Sequence, residues 1–345
     1  MRETYLNLGD DRGYPILVGN DLLDEWWKYL PEDVSKVVIL RQPNIPMIPD
    51  PPNIASSTFV IEDGENAKRI STVERLLEEI AAFGLSRRDC IVNVGGGVVS
   101  DLGGFVASIY FRGIRYINIS TTLLGQIDAA IGGKTGVNLS AGKNLAGSFW
   151  HPSSVICDVS TLKSLPEREF RSGLGEMAKY EFLGAGNLDV DDLEASISQC
   201  VKIKADVVSF DEREGGRRAL LNYGHTMAHG LEALSLAGKI SPLMHGEAVG
   251  IGLIFAGHLS HIMGRISSEM LDRHYEIVSR FELSTSIPDS VDFDDVIGYL
   301  ARDKKAYGSL TFVLMNQTGE LEVVNGIPSQ LIESAIASMG SYHRN

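Results

Sequence analysis

Three of the eight histidines in this 345-residue chain fall within 21 positions. His225 and His229 stand four apart in NYGHTMAH, a spacing that puts both on one face of a helix, and His245 follows in MHGEA. Singly, each reads as a core or surface histidine. Together they outline a metal site, because catalytic zinc takes three protein ligands and keeps a fourth position for a reactant. The pair lacks the second-position glutamate of HExxH, which argues against a zinc protease. A carboxylate is the expected third kind of ligand. Glu176, in GLGEMAKYE, stands on an apolar-faced helix where an unpaired charge is costly; pairing with Lys179 is the alternative account of it.

Two glycine-rich segments could hold an anion. In IVNVGGGVVSD (Ile91 to Asp101) an apolar strand runs into three glycines and then a helix, so backbone N–H groups at the helix start are open to a phosphate. This is not GxGxxG, and alone it fits a tight strand-to-helix turn equally well. DGENAKR (Asp63 to Arg69) and the strand end ISTT (Ile119 to Thr122) add polar groups where α/β folds bind ligands. The second segment, GGKTGVNLSAGKN (Gly132 to Asn144), reads as a loop carrying Lys134 and Lys143 without neighbouring acids. Solvated lysines explain either one; two in a glycine-rich loop suit an anion.

The chain as a whole is acidic. Lys+Arg 31 against Asp+Glu 45 gives a net charge of −14, a field that repels duplex nucleic acid and anionic membrane surfaces and leaves only a locally bound small anion. Cys90, Cys157 and Cys200 fit neither a disulfide framework nor a CxxC knuckle, and are expected as buried thiols in a reducing compartment. The N-terminal MRETYLNLGDDRGY has no apolar stretch, so no secretory signal is expected and the cytoplasm is the default. Ala248 to Met263 holds two histidines and three glycines, and reads as a buried helix rather than a membrane span.

The elements that would position these residues follow from periodicity. β-branched runs at Val37 to Leu40, Ser57 to Ile61, Ile91 to Val94, Tyr116 to Ser120 and Val155 to Val159 alternate with helical patterns, which implies a parallel sheet. TVERLLEEIAAF (Thr72 to Phe83) has one apolar face and ends at Gly84, a sheet-covering helix with a C-terminal glycine. The proline-rich stretch from Asn44 to Asn53 is a loop. Beyond Leu162 the patterns turn helical, at Glu167 to Phe182, Asp191 to Phe210, Arg217 to Leu236, Glu247 to Gly264 and Ser267 to Phe281, with one late β-rich run, Leu310 to Met315. The expected architecture is α/β: a Rossmann-like parallel-sheet domain over 1–162, then a mostly helical metal- and substrate-binding domain over 163–345.

Taken in order, DGENAKR, GGGVVSDLGGF, YFRG, STTLLGQIDAAIGGKTGVN, AGKNLAG, GLGEMAKYEFLG, DERE, LLNYGHTMAH, HGEAVGIG and DKK resemble the 3-dehydroquinate synthase family of sugar phosphate cyclases, over nearly all of Asp63 to Leu314. The resemblance implies an N-terminal NAD-binding domain, a helical C-terminal domain, a site in the cleft between them and a homodimer. It makes Glu176, His225 and His245 the ligands of zinc or cobalt. Glu65, Lys68, Gly96, Gly97, Val98, Asp101, Thr121 and Thr122 correspond to NAD contacts, with Lys143 near the nicotinamide side. Asp128, Lys134, Asn144, Lys179, Lys204, Arg218, Asn222 and His229 correspond to substrate contacts. Arg112 corresponds to an arginine that reaches a phosphate across the dimer interface, and Lys304, favoured over Lys305, to a cation on the substrate carboxylate or phosphate.

The implied substrate, 3-deoxy-D-arabino-heptulosonate 7-phosphate, is a phosphorylated sugar acid, and a ring of Lys and Arg in an acidic protein suits it. The implied reaction oxidises one hydroxyl transiently with NAD, eliminates phosphate, re-reduces and closes the ring by an aldol step to 3-dehydroquinate. Two departures stand out: Gln42 occupies a position usually acidic and directed at the adenosine ribose, and Ser100 replaces a common glycine. GLGEMAKYEFLGAG also resembles the branch that makes the 5-amino analogue. A metal-dependent polyol dehydrogenase and a non-catalytic NAD-binding scaffold are the readings from other classes.

Overall fold

The computed structural model describes residues 1–9, 12–45, 47–288, 291, 295, 296, 298, 299 and 310–342. Lys304 and Lys305 lie outside the described residues. The chain divides into two compact units, Met1–Pro166 with Asp189–Arg213, and Glu167–Leu188 with Glu214–Asn345. The single cut expected at residue 162 therefore differs from the observed division, in which one later segment returns to the first unit.

In the first unit a seven-stranded sheet is built from β1 (Arg2–Leu6), β2 (Tyr14–Gly19), β3 (Lys36–Arg41), β4 (Ala55–Val60), β5 (Cys90–Gly95), β6 (Arg115–Ser120) and β9 (Ser154–Asp158). Its order is β1-β2-β9-β6-β5-β3-β4, and every pairing is parallel except β1 with β2. All five expected strands are present. The continuous apolar run of β3 follows from burial on both faces: Val38 and Leu40 pack with α1 (Ile70–Phe83) and α2 (Gly97–Ile109), while Val37 and Ile39 pack with Trp26 on the other side. Gly84 ends α1 in the left-handed region, at φ 76°, and its N–H caps the helix.

Three features differ from expectation in this unit. β1 and β2 carried no recognised signal. GGKTGVNLSAGKN is not a loop but most of an antiparallel hairpin, β7 (Lys134–Leu139) with β8 (Gly142–Phe149). Its glycines allow close strand approach: a Cβ on Gly147 would sit 2.2 Å from the Thr135 carbonyl oxygen. Third, α4 (Leu193–Phe210), expected in the helical domain, packs on β1 and β2 of the first unit.

The second unit is helical around α6 (His245–Ile262), against which α3 (Glu167–Tyr180), α5 (His225–Leu236), α7 (Ser268–Arg280) and α8 (Ser329–Ser341) all pack. The expected buried helix is thus its central element. Among the described residues no helix is long and apolar enough to cross a membrane. The late β-rich run is β10 (Thr311–Met315), paired with β11 (Leu321–Asn325). The helix expected over Arg217 to Leu236 is broken: Arg217–Asn222 forms a 3-10 turn, and Gly224, at φ 80°, redirects the chain so that α5 begins at His225.

Candidate active site

In the second unit, Glu176 on α3, His225 at the start of α5 and His245 at the start of α6 offer ligand atoms that all lie within 4.8 Å of one another. Both Nε2 atoms stand 3.1 Å from Glu176 Oε1. Such convergence requires the helices to cross closely, and glycines beside the ligands permit it. A Cβ on Gly175 would fall 2.1 Å from the Gly246 carbonyl oxygen, and one on Gly252 would fall 2.0 Å from that of Gly224. The crossings of α3 and α5 with α6 are therefore backbone against backbone at the residues adjoining Glu176, His225 and His245.

The electrostatics are those of a cation site. Glu176 is 0% exposed. Burial alone pushes its carboxyl up, but the Lys179 ammonium and the His225 imidazole outweigh this and hold it well below the usual carboxylate range. Lys179, 1% exposed, forms an ion pair with its Oε2. Both accounts of Glu176 from the sequence are thus present together.

A divalent ion fits these residues. His225 Nδ1 faces the Tyr223 carbonyl at 3.1 Å and His245 Nδ1 faces Glu232 Oε2 at 3.3 Å. Since both partners accept, each Nδ1 carries a proton and each ring turns its Nε2 to the same carboxylate oxygen. Three lone-pair donors facing one another are held together by a shared proton or by a metal. In the ion-free protein the proton does this: burial opposes protonation of His245, but Glu176 and Glu232 raise its pKa to about 10. Two imidazoles and a carboxylate are the donor set of a zinc or cobalt site with an open position. His229 is not one of the three, although its ring centroid is 5.7 Å from that of His225; the four-residue spacing places it beside the site, exposed. In the same unit Arg218 is 1% exposed, and Asn222 Nδ2 donates to Glu214 Oε1 at 3.2 Å.

The first unit gathers a second set. From β3 the connection runs outward to β4, whereas from β5 it runs through α2 to β6 on the other side, so the loops part outside the carboxyl ends of β3 and β5. That is where open α/β sheets bind ligands. Gly96, Gly97 and Val98 start α2 there with no side-chain cap, leaving its first N–H groups open, and a Cβ on Gly96 would meet Thr122 at 2.8 Å. Thr121 is 5% exposed, and its hydroxyl has no hydrogen-bond partner among the described residues. An uncapped helix start and a buried unanswered hydroxyl suit a dinucleotide. Gln42 follows β3 at the same crevice. Ser100 donates to the Gly97 carbonyl at 3.1 Å, which is how the helix start accommodates it.

Lys68 ties the neighbouring residues together. Its ammonium donates to Asp101 Oδ2 and Asn144 Oδ1, each at 2.7 Å, with Glu65 Oε1 at 3.5 Å. Asp101 loses solvation in this recess by more than Lys68 compensates, and its pKa rises to about 6. Asp101, Asn144 and Lys134 line a pocket of about 310 Å³. Asp128 and Lys204 form an ion pair in the same unit. Lys143 is exposed in the hairpin, and Arg112 is exposed at φ 66° next to Phe111 at φ 50°. Glu214, Tyr223 and Glu232 were not singled out from the sequence. Glu232 had a signal, since it lies seven residues beyond His225 on the same helical face.

Residues 58–172 match the 3-dehydroquinate synthase N-terminal family and residues 173–306 its C-terminal counterpart. A candidate aminodehydroquinate synthase of Amycolatopsis mediterranei (strain S699) is 41% identical over 98% of this chain and 95% of its own. A 3-dehydroquinate synthase of Dictyoglomus thermophilum is 38% identical over 99% of both. Among solved structures, 2-deoxy-scyllo-inosose synthase complexed with carbaglucose-6-phosphate, NAD+ and Co2+ superimposes with a TM-score of 0.87 at 26% identity, covering 98% of this chain and 100% of that one. Matched by both halves of the family pattern and by relatives across nearly its whole length, this chain belongs to the 3-dehydroquinate synthase family.

Proposed function

We propose that this chain is a 3-dehydroquinate synthase, a carbon–oxygen lyase that converts 3-deoxy-D-arabino-heptulosonate 7-phosphate to 3-dehydroquinate and phosphate. The observation that carries the reading is the convergence of Glu176, His225 and His245 on one point, with Lys179 on the same carboxylate. When bound, NAD lends and recovers one hydride and a divalent ion at the three donors polarises substrate hydroxyls. The chain's own residues do the rest. Lys179 keeps Glu176 ionised. The open N–H groups of Gly97 and Val98 suit a pyrophosphate, and Lys68 holds Asp101 and Asn144 at the floor of their recess. Lys134, Lys204, Arg218 and Lys304 supply positive charge for the phosphate and carboxylate in a chain of net charge −14. Asp128, Asn222 and His229 orient hydroxyls, and Lys143 serves the nicotinamide side. Phosphate then leaves by β-elimination, itself accepting the proton, and the ring closes by an intramolecular aldol step, for which positioning and exclusion of water are the protein's contribution.

A cytoplasmic homodimer belongs to the same reading: the three cysteines are free and buried, and Arg112 is exposed on its left-handed turn, available to a second copy. The amino-substrate reading is favoured by the 41% identical Amycolatopsis relative. Hydride accounting tests all of these. With NAD far below substrate, many phosphates per NAD should be released from the heptulosonate phosphate without lasting NADH absorbance. Stoichiometric NADH without phosphate would move the chain to the dehydrogenases, and phosphate release from the amino analogue alone would keep the mechanism and change the substrate. Metal removal checked by elemental analysis should abolish turnover, and zinc or cobalt should restore it.

Separate replacement of Lys134, Lys204 or Arg218 by alanine should lower kcat/KM about ten- to a hundredfold, the worth of about 1.5–3 kcal/mol for a charge-assisted hydrogen bond. Unchanged kinetics in all three would return them to the structural role of surface or core ion pairs.

A further inference from the structure

We propose that Glu232 is a positioning residue that sets the ring of His245 for the metal ion, an assignment that rests on the metal reading above. His245 is the first residue of α6, and its backbone is fixed from elsewhere. The Met244 N–H donates to Glu247 Oε2 at 2.7 Å, and Arg168 clamps both oxygens of Glu247, at 3.0 and 2.9 Å. These contacts place the Cα of His245 but leave its ring torsion free. Two atoms then orient the ring: Glu176 Oε1, 3.1 Å from Nε2, and Glu232 Oε2, 3.3 Å from Nδ1. Glu176 is itself one of the three donors, and a bound ion would engage its carboxylate. Glu232 therefore decides which way the ring faces, and as an obligate acceptor it keeps the proton on Nδ1 and the lone pair on Nε2.

The two histidines differ here. His225 leans on a backbone carbonyl, that of Tyr223, which no substitution removes. His245 leans on a carboxylate whose negative charge also raises the basicity of its Nε2. Glu232 stands two helical turns beyond His225 on α5, so the helix that supplies one ligand also aims a second one carried by α6.

The test uses the full chain, stripped of metal and titrated with Co2+ or Zn2+ against a chromophoric chelator. Glu232→Gln should weaken the ion about 10- to 100-fold, and Glu232→Ala at least as much. The visible absorption of the Co2+ form should shift in both variants, which a purely structural role for Glu232 would not produce. An effect in the alanine variant alone assigns the role to the hydrogen bond rather than the charge and still supports positioning. Should the alanine variant fail to fold, the glutamine variant carries the comparison. Wild-type affinity and spectrum in both variants would overturn the proposal. A wild-type chain that takes up no ion would overturn the metal reading and this assignment with it.

Discussion

Replacing Glu176 by glutamine is expected to cost the protein its metal and much of its stability together. Lys179 is 1% exposed and pairs with this carboxylate, so the substitution breaks a buried ion pair, at about 3–5 kcal/mol. The loss falls on the metal-free protein as well, and chemical denaturation of that form reads it. With one of three donors gone, the polarisation supplied by the ion is lost too, several kcal/mol of transition-state stabilisation, or about a thousandfold or more in turnover. The double variant Glu176→Gln with Lys179→Met separates the two effects. It removes the buried ammonium as well, so it should regain stability while still binding no metal. A single variant that keeps one ion per chain and normal turnover would remove Glu176 from the ligand set.

The second large effect is expected from a methyl group. In Gly246→Ala the new Cβ would lie 1.8 Å from the Ser172 carbonyl oxygen, a backbone atom that no rotamer change can move. α3 and α6 must separate, and overpacking of this kind costs about 1–3 kcal/mol. The chemical consequence is larger, because Glu176 and His245 lie on the two helices being forced apart and now stand 3.1 Å from each other. A displacement of about 1 Å at a reacting centre costs about a hundredfold. Turnover and metal affinity should both fall by that order. Gly250→Ala, on the same helix, is the control: its Cβ would meet the Leu283 side chain at 3.1 Å and the Ser284 carbonyl oxygen at an ordinary 3.6 Å, and should leave both nearly intact. Equal behaviour of the two variants would show that the helix crossing does not set the ligand geometry.

Periodicity was a good guide wherever one element serves one environment. Val37 to Leu40 is apolar without interruption, and Ile91 to Val94 is so except at Asn93, because both faces of the parallel sheet are covered, and that pattern is local. It failed where a residue's meaning depends on what lies across from it. The glycines of the β7–β8 hairpin look like loop residues until the opposite strand is present, because their purpose is the space that strand occupies. The patterns of Arg217 to Asn222 and His225 to Leu236 run on as one helix, and a single left-handed glycine divides them.

By itself the sequence determined the α/β class, the helical second half, the family and the types of residue at the site, because these follow from patterning and from motif order. Spacing alone left three histidines together, and the family resemblance implied His225 and His245 as the ligands. How the two meet was decided only in three dimensions, where the first turn of α6 brings His245 to Glu176 while His229 stays exposed. The return of α4 to the first unit was likewise invisible, since an amphipathic helix specifies that it must be covered and not by what. Contacts across 49 and 69 residues, from Glu176 to His225 and to His245, exist because glycines let helix backbones touch, and that is a property of the packed pair rather than of either strand of sequence.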